Sequence, residues 1–212
     1  MNSETLRQKL MAEGLVKTDL VSDPIKQFER WYAQTLETEL AEPDAMALAT
    51  VDAQGQPWQR MVLLKLFDEQ GFVFFTNFAS RKAEHIATNQ KVSLLFPWQV
   101  LGRQVKVTGT AAKIPTAESM RYFATRPRGS QIGAWASHQS QVIKSRAILD
   151  AMFEQMKNRF LEGEVPLPSF WGGYRVAPTT IEFWQARDSR LHDRFMYRKD
   201  ENAQWAVERL AP

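Results

Sequence analysis

Cysteine is absent from the 212 residues, which removes disulfides, thiolate nucleophiles, zinc–thiolate sites and iron–sulfur ligation from consideration. Histidine is scarce: His85, His138 and His192 are the only three, far apart along the chain, so no metal site built on imidazoles is expected. The common nucleotide and hydrolase fingerprints are missing too, with no G-x-G-x-x-G, G-x-x-x-x-G-K-[ST], H-E-x-x-H or G-x-S-x-G. Any redox chemistry must then come from a bound organic cofactor. No apolar run approaches the roughly 18 residues of a membrane span. The start, Met1-Asn-Ser-Glu-Thr-Leu-Arg7, lacks the basic-then-apolar order of a signal peptide. A soluble, cytoplasmic protein with no membrane partner is expected.

What is present is aromatic and mildly basic. The 27 Lys and Arg against 24 Asp and Glu give a net charge of +3, an excess that suits anionic small molecules as well as nucleic acid and selects neither. Seven tryptophans and 13 phenylalanines are generous for this length and suggest flat ligands or a substantial interface, the plainer reading being that most of them are core. The length favours one domain.

Residues 1–24 are polar with a weak apolar set, Leu6, Leu10, Leu15 and Leu20, and are expected to form a mobile arm ahead of a single domain over 25–212. From Asp23-Pro24 the set Ile25, Phe28, Trp31, Tyr32 and Leu36 recurs at helical spacing. Short β-rich runs follow at 45–51, 57–67 and 72–76, separated by Asp52-Ala-Gln-Gly55 and Asp68-Glu-Gln-Gly71, and read as an antiparallel meander. A helix capped by Ser80 carries Arg81 and Lys82 in its first turn, where cations oppose the helix dipole unless an anion is near. Strands are expected at 92–98 and 103–112. Helices are expected from Pro115 to about Thr125 and from Ser145 to Gly163, the latter with an apolar stripe suited to core or dimer contact. Strands are then expected at 173–176, 180–184, 194–198 and 205–210. Antiparallel strands with inserted helices suggest an α+β protein on a small barrel.

Three groups of residues stand out. Arg60-Met61-Val62-Leu63-Leu64-Lys65 places a cation at each end of an apolar strand, with the two pointing to opposite faces if the strand is regular. Tyr122 and Arg126 lie four apart on a helix, with Ser130 beyond a Pro-Gly break: a phenol, a guanidinium and a hydroxyl suited to a phosphate. Arg190, His192 and Arg194 fall on one face if that segment is extended, near Trp184, and such a row is costly without an anionic or π-rich ligand.

With these segments in order, the whole chain resembles the pyridoxine (pyridoxamine) 5′-phosphate oxidase family. The resemblance runs from Phe28-Glu-Arg-Trp31 through Ser93-Leu-Leu-Phe-Pro-Trp98, Arg126-Pro-Arg, Ser130-Gln-Ile-Gly-Ala-Trp135 and Val165-Pro-Leu-Pro-Ser-Phe-Trp-Gly-Gly173. It continues over Ile181 to Arg194 and ends at Arg209-Leu-Ala-Pro212. It implies an FMN-binding split barrel, α+β and predominantly antiparallel, working as a homodimer with its active site at the interface.

By resemblance, FMN is surrounded by Arg60 to Lys65, Phe75, Thr76, Arg81, Lys82, Gln104, Gln139, Ser140, Trp184 and Arg194. The substrate phosphate falls to Lys65, Tyr122, Arg126 and Ser130, and the pyridine ring to Arg190, Leu191 and His192, with Arg7 supplied by the arm. Arg190 and His192 are the implied catalytic pair. The implied reaction takes two electrons from C4′ of pyridoxine 5′-phosphate or pyridoxamine 5′-phosphate, with O2 as acceptor, releasing hydrogen peroxide and pyridoxal 5′-phosphate. Two positions depart from the family pattern: Leu10 and Phe75 stand where tyrosine is frequent. Rival readings are a split-barrel flavin oxidase on another substrate, of the phenazine-forming kind, and a non-catalytic FMN or pyridoxal phosphate carrier. The phosphate cradle disfavours the first.

Overall fold

Alternate residues of Ala45–Val51 are buried, and this strand, β1, belongs to the nine-stranded antiparallel sheet that carries the fold. The computed structural model describes residues 2–212. The other strands are β2 (Pro57–Leu63), β3 (Leu66–Asp68), β4 (Gly71–Asn77), β5 (Lys91–Phe96), β6 (Arg103–Lys113), β7 (Trp171–Gln185), β8 (Asp193–Lys199) and β9 (Trp205–Leu210). Their order is β2-β1-β5-β6-β7-β4-β3, with β8 on β7 and β9 on β8. Among the described residues no helix is long and apolar enough to cross a membrane.

The run 57–67, expected as one strand, divides at Leu64-Lys65, whose N–H groups donate to Asp44 O and Val73 O instead of continuing one ladder. As a result β1–β2 and β3–β4 are separate hairpins and not a continuous meander, and β4 crosses the fold to pair with β7. The segments 173–176 and 180–184, expected as two strands, are one strand of 15 residues, β7. Pro178 cannot donate to a ladder, and the register with β6 shifts between Thr108 and Gly109 opposite it. Glycine is required there, because a Cβ at Gly109 would lie 2.2 Å from Ala177 O.

β7 organises the molecule. β6 accompanies nearly all of it, while the other edge is shared: β4 takes Trp171–Val176 and β8 takes Thr180–Gln185. The sheet splits at that point, in agreement with the expected split-barrel architecture.

Among the described residues, six α-helices surround the sheet: α1 (Ser3–Glu13), α2 (Pro24–Leu36), α3 (Arg81–Thr88), α4 (Thr116–Thr125), α5 (Arg128–Ala136) and α6 (Arg146–Arg159). Asp23 caps α2 through Ile25 N at 2.8 Å, with Pro24 in the first turn, and the helix buries Phe28 and Trp31 among Phe72, Phe74, Phe96, Trp98 and Phe183. A smaller cluster of Phe123, Ile132, Phe160, Val165 and Trp171 ties α4 and α5 to the start of β7. None of α6's own residues is fully buried, but Phe153 and Met156 of its stripe pack against this cluster, in which Phe160 is buried.

Where a mobile arm is expected, Ser3–Glu13 forms a helix capped by Asn2, and Leu10 and Leu15 are buried. Leu15 N donates to Asp193 Oδ2, and Tyr197 Oη donates to Val21 O at 2.6 Å, which fastens residues 15–21 to β8.

Candidate active site

A cavity of about 580 Å³ opens between β2, the end of β4 and the start of α3. Its cations are Arg60, Arg81 and Lys82. Arg60 Nη1 is held by Leu48 O, Thr50 Oγ1 and Trp58 O at 2.7–3.2 Å, which leaves the rest of the guanidinium to the cavity. Arg81 lies over the Trp58 ring at 4.6 Å, and its N–H donates to Ser140 Oγ. Lys82 is buried, with Nζ reaching Thr76 Oγ1 at 3.1 Å, Gln139 Oε1 at 3.3 Å and Ser80 Oγ at 3.4 Å, none of them charged. Burial first and Arg60 second pull its pKa down to about 8, and burial together with Arg81 lowers that of Arg60.

A second cavity, of about 410 Å³, shares Phe75, Thr76 and Gln139 with the first, so the two adjoin. Lys65, Tyr122, Arg126 and Ser130 all line it, brought together from the β2–β3 junction, α4 and α5. Phe75 stacks on Tyr122 at 4.0 Å and on Trp171 at 5.2 Å, giving a flat apolar wall. Arg126 closes α4, its guanidinium over Trp171 at 4.6 Å and its Nη1 buried with no hydrogen-bond partner. Burial lowers its pKa. Lys65 is already paired, with Asp44 Oδ2 at 2.6 Å.

Among the described residues, no aspartate or glutamate lines either cavity. Partly buried cations without carboxylates, one of them with an orphaned donor, fit phosphate-sized anions, since an unpaired buried charge is otherwise expensive.

The remaining expected site residues lie elsewhere. Gln104, Trp184 and Arg194 form one cross-strand row at the far end of β7. Arg194 is not free: Nε bonds Glu182 at 2.9 Å and Nη1 bonds Ala211 O. Lys106 meets the same buried carboxylate at 2.7 Å. Burial alone would raise the pKa of Glu182, but the two cations outweigh it and lower it.

The extended row of Arg190, His192 and Arg194 is not formed. Asp188–Arg190 is a 3-10 turn with Ser189 and Arg190 at φ 55 and 62, and β8 begins only at Asp193. Arg190 and Leu191 are exposed, and His192 packs on Trp184 at 4.5 Å. Arg187 N donates to His192 Nδ1 at 3.1 Å, so the neutral ring carries its proton on Nε2. Arg7, on α1, lies beside Gly102 at this same end, with a buried, unpartnered Nε.

A family model described as Pyridoxamine 5′-phosphate oxidase matches residues 32–160. The chain belongs to the pyridoxamine 5′-phosphate oxidase family. A second model, described as Pyridoxine 5′-phosphate oxidase C-terminal dimerisation region, matches residues 171–212, which are β7 to β9. Pyridoxine/pyridoxamine 5′-phosphate oxidase of Crocosphaera subtropica is 57% identical over 214 residues, covering 100% of both chains. That of Escherichia fergusonii is 56% identical, covering 98% of this chain and 94% of its own. Among solved structures, PhzG from Burkholderia lata, in complex with tetrahydrophenazine-1-carboxylic acid, superposes with a TM-score of 0.87 at 31% identity, covering 93% of this chain and 98% of that one. An FMN-binding protein from Nostoc punctiforme shares the fold, with a TM-score of 0.73 at 14% identity over 91% of this chain and 100% of that one.

Several residues of this candidate site were not singled out from sequence. Trp58 and Trp171 wall the cavities, and Asp44 and Glu182 hold Lys65 and Arg194. The tryptophan surplus was the one available signal for the first two. Nothing local marks either carboxylate, because each meets its cation through sheet pairing or chain crossing.

Proposed function

We propose that this chain is an FMN-dependent oxidase of pyridoxine 5′-phosphate and pyridoxamine 5′-phosphate, forming pyridoxal 5′-phosphate as a homodimer. The observation that carries this reading is the pair of adjoining cavities with no carboxylate in their linings, where Arg60, Arg81 and Lys82 in one and Arg126 in the other have no acidic partner. One suits the FMN phosphate and the other the substrate phosphate, and the apolar wall of Phe75, Tyr122 and Trp171 borders the second. The alcohol and O2 give the aldehyde and hydrogen peroxide; the amine, O2 and water give the aldehyde, ammonia and hydrogen peroxide. When bound, FMN supplies the two-electron acceptor that O2 regenerates.

The chain's own part is binding and orientation. Arg60, Arg81 and Lys82 would hold the FMN phosphate, with Thr76, Gln139 and Ser140 as neutral partners. Arg126 offers its orphaned Nη1 to the substrate phosphate, with Tyr122 and Ser130 beside it, and Lys65, paired with Asp44, borders the same space. His192, with Nδ1 taken by Arg187 N, keeps Nε2–H as a donor for the substrate ring and is not a base in its neutral form. Arg190 sits on a left-handed turn at the surface, a strained placement of the kind found at functional sites. Arg190, His192, Trp184 and Arg7 lie away from the cavities of their own chain, so in the proposed dimer they would complete the cavities of the second copy.

The test is direct. The purified protein should be yellow and release peroxide with either phosphate ester, and Arg190→Ala should lose most turnover while keeping its flavin. A yellow protein that turns over neither ester would overturn the oxidase reading and leave the carrier reading. Turnover of a tricyclic carboxylic acid in their place would favour the phenazine-type alternative.

A further inference from the structure

His85 lies in the second turn of α3, is buried, and has no part in the chemistry above. Its Nδ1 is 3.0 Å from Thr50 Oγ1, and Thr50, on β1, is also buried. The same hydroxyl oxygen lies 2.7 Å from Arg60 Nη1. A guanidinium can only donate, so Thr50 accepts from Arg60. The hydroxyl hydrogen of Thr50 is then free, and His85 Nδ1 is the acceptor within its reach among the described residues. A buried hydroxyl that left this hydrogen unbonded would be costly, which assigns the chain as Arg60 to Thr50 to His85 Nδ1, with the imidazole proton on Nε2.

Resting on the assignment of the larger cavity to the FMN phosphate, we propose that His85 is a positioning residue for Arg60, acting through Thr50 to fix the guanidinium for phosphate binding. The link joins two elements that must agree. Arg60 comes from β2, whereas Arg81 and Lys82 come from the first turn of α3, the helix that carries His85 one turn later. His85 packs on Trp58 at 5.9 Å, and Arg81 covers that same ring at 4.6 Å, so one helix sets both the arginine it carries and the arginine it faces. A hydroxyl without its acceptor is free to rotate and offers Arg60 a less defined lone pair, which is how loss of His85 reaches the cavity.

The test compares FMN with riboflavin, which lacks the phosphate. Apoprotein is titrated with each, following quenching of flavin fluorescence, for the wild type, Thr50→Val, His85→Phe, the double variant and His85→Asn. Thr50→Val and His85→Phe should each weaken FMN by about fivefold to twentyfold with riboflavin unchanged, and the double variant should be no worse than either alone, as expected for residues acting in series. In His85→Asn, an amide oxygen takes the place of Nδ1 and should hold FMN affinity near wild type. Equal losses for FMN and riboflavin, additive losses in the double variant, or FMN affinity unchanged in both single variants would each overturn the relay. Thermal unfolding of Thr50→Val, which keeps the threonine's shape, confirms that folded protein is being compared. A wild-type apoprotein that binds both flavins equally would instead strike the assignment of the cavity itself.

Discussion

Trp171 and Trp184 occupy opposite ends of one strand, β7, thirteen positions apart, which at about 3.3 Å per residue separates them by up to about 40 Å. Trp171 walls the cavity that holds Arg126, and Trp184 packs on His192 beside Arg190. The two groups border no common cavity within one chain, as the proposed dimer-shared site requires. The match of residues 171–212 to a dimerisation region agrees with that arrangement.

Subunit mixing tests it. At phosphate-ester concentrations well below the wild-type KM, Arg126→Ala, through its raised KM, and Arg190→Ala, through lost turnover, should each show little activity alone. Co-expressed, they form heterodimers in which one site carries both defects and the other neither, so about one quarter of wild-type turnover should return for random pairing in a two-fold dimer. Steady-state peroxide release from the purified mixture is the measurement, and no recovery would mean that each chain builds its own complete site.

On the proposed reading, Arg126 would make a phosphate contact that is the same before and during the chemical step. Its replacement by alanine should therefore act on binding: KM for the phosphate esters should rise about tenfold to hundredfold with kcat nearly unchanged, the range for a lost charge-assisted bond. A fall in kcat of the same size would show that Arg126 also orients the reacting carbon.

How much of this was legible depends on how local each feature is. The cradle of Tyr122, Arg126 and Ser130 was readable because its members lie within nine positions and helical geometry alone converges two of them. Helix α2 was readable from Asp23-Pro24 and the spacing of Phe28, Trp31 and Tyr32. The row of Arg190, His192 and Arg194 was misread because alternate spacing implies one face only in extended chain, and the left-handed Ser189 and Arg190 break it. Arg194 was read as a free cation because Glu182, its partner across the β7–β8 pairing, carries no local mark of that role. The N-terminal segment was read as an arm from its polarity, yet two leucines, Leu10 and Leu15, are enough to seat it.

Lys82 makes a prediction in pH. In the apoprotein its pKa lies near 8 against 10.5 when unperturbed, so between those values the folded state has released a proton that the unfolded chain keeps. The unfolded chain binds more protons in that window, and the stability contributed by this group rises with pH across it. A bound phosphate reverses the shift by favouring the ammonium. FMN binding at about pH 8.5, where the phosphate is already doubly ionised, should therefore take up protons. Calorimetry in buffers of different ionisation enthalpy measures the uptake, and Lys82→Met should abolish it.

Glu182 offers the converse. Its side chain is only 4% exposed and is held ionised by Lys106 and Arg194. Replacement by glutamine keeps the shape but removes the charge, leaving two cations that retain partial access to water, so the loss should be about 1–3 kcal/mol at neutral pH. The sign with pH follows from its lowered pKa. The stabilisation is present in full above the unperturbed value of 4.5 and is lost as pH falls through the folded value. Urea unfolding of wild type and Glu182→Gln should thus differ at pH near 7 and converge in acid. Because Arg194 belongs to the Gln104–Trp184 row, the same substitution should also loosen that end of the sheet. If the two proteins kept the same difference throughout the acid range, the carboxylate would be acting by shape and not by charge.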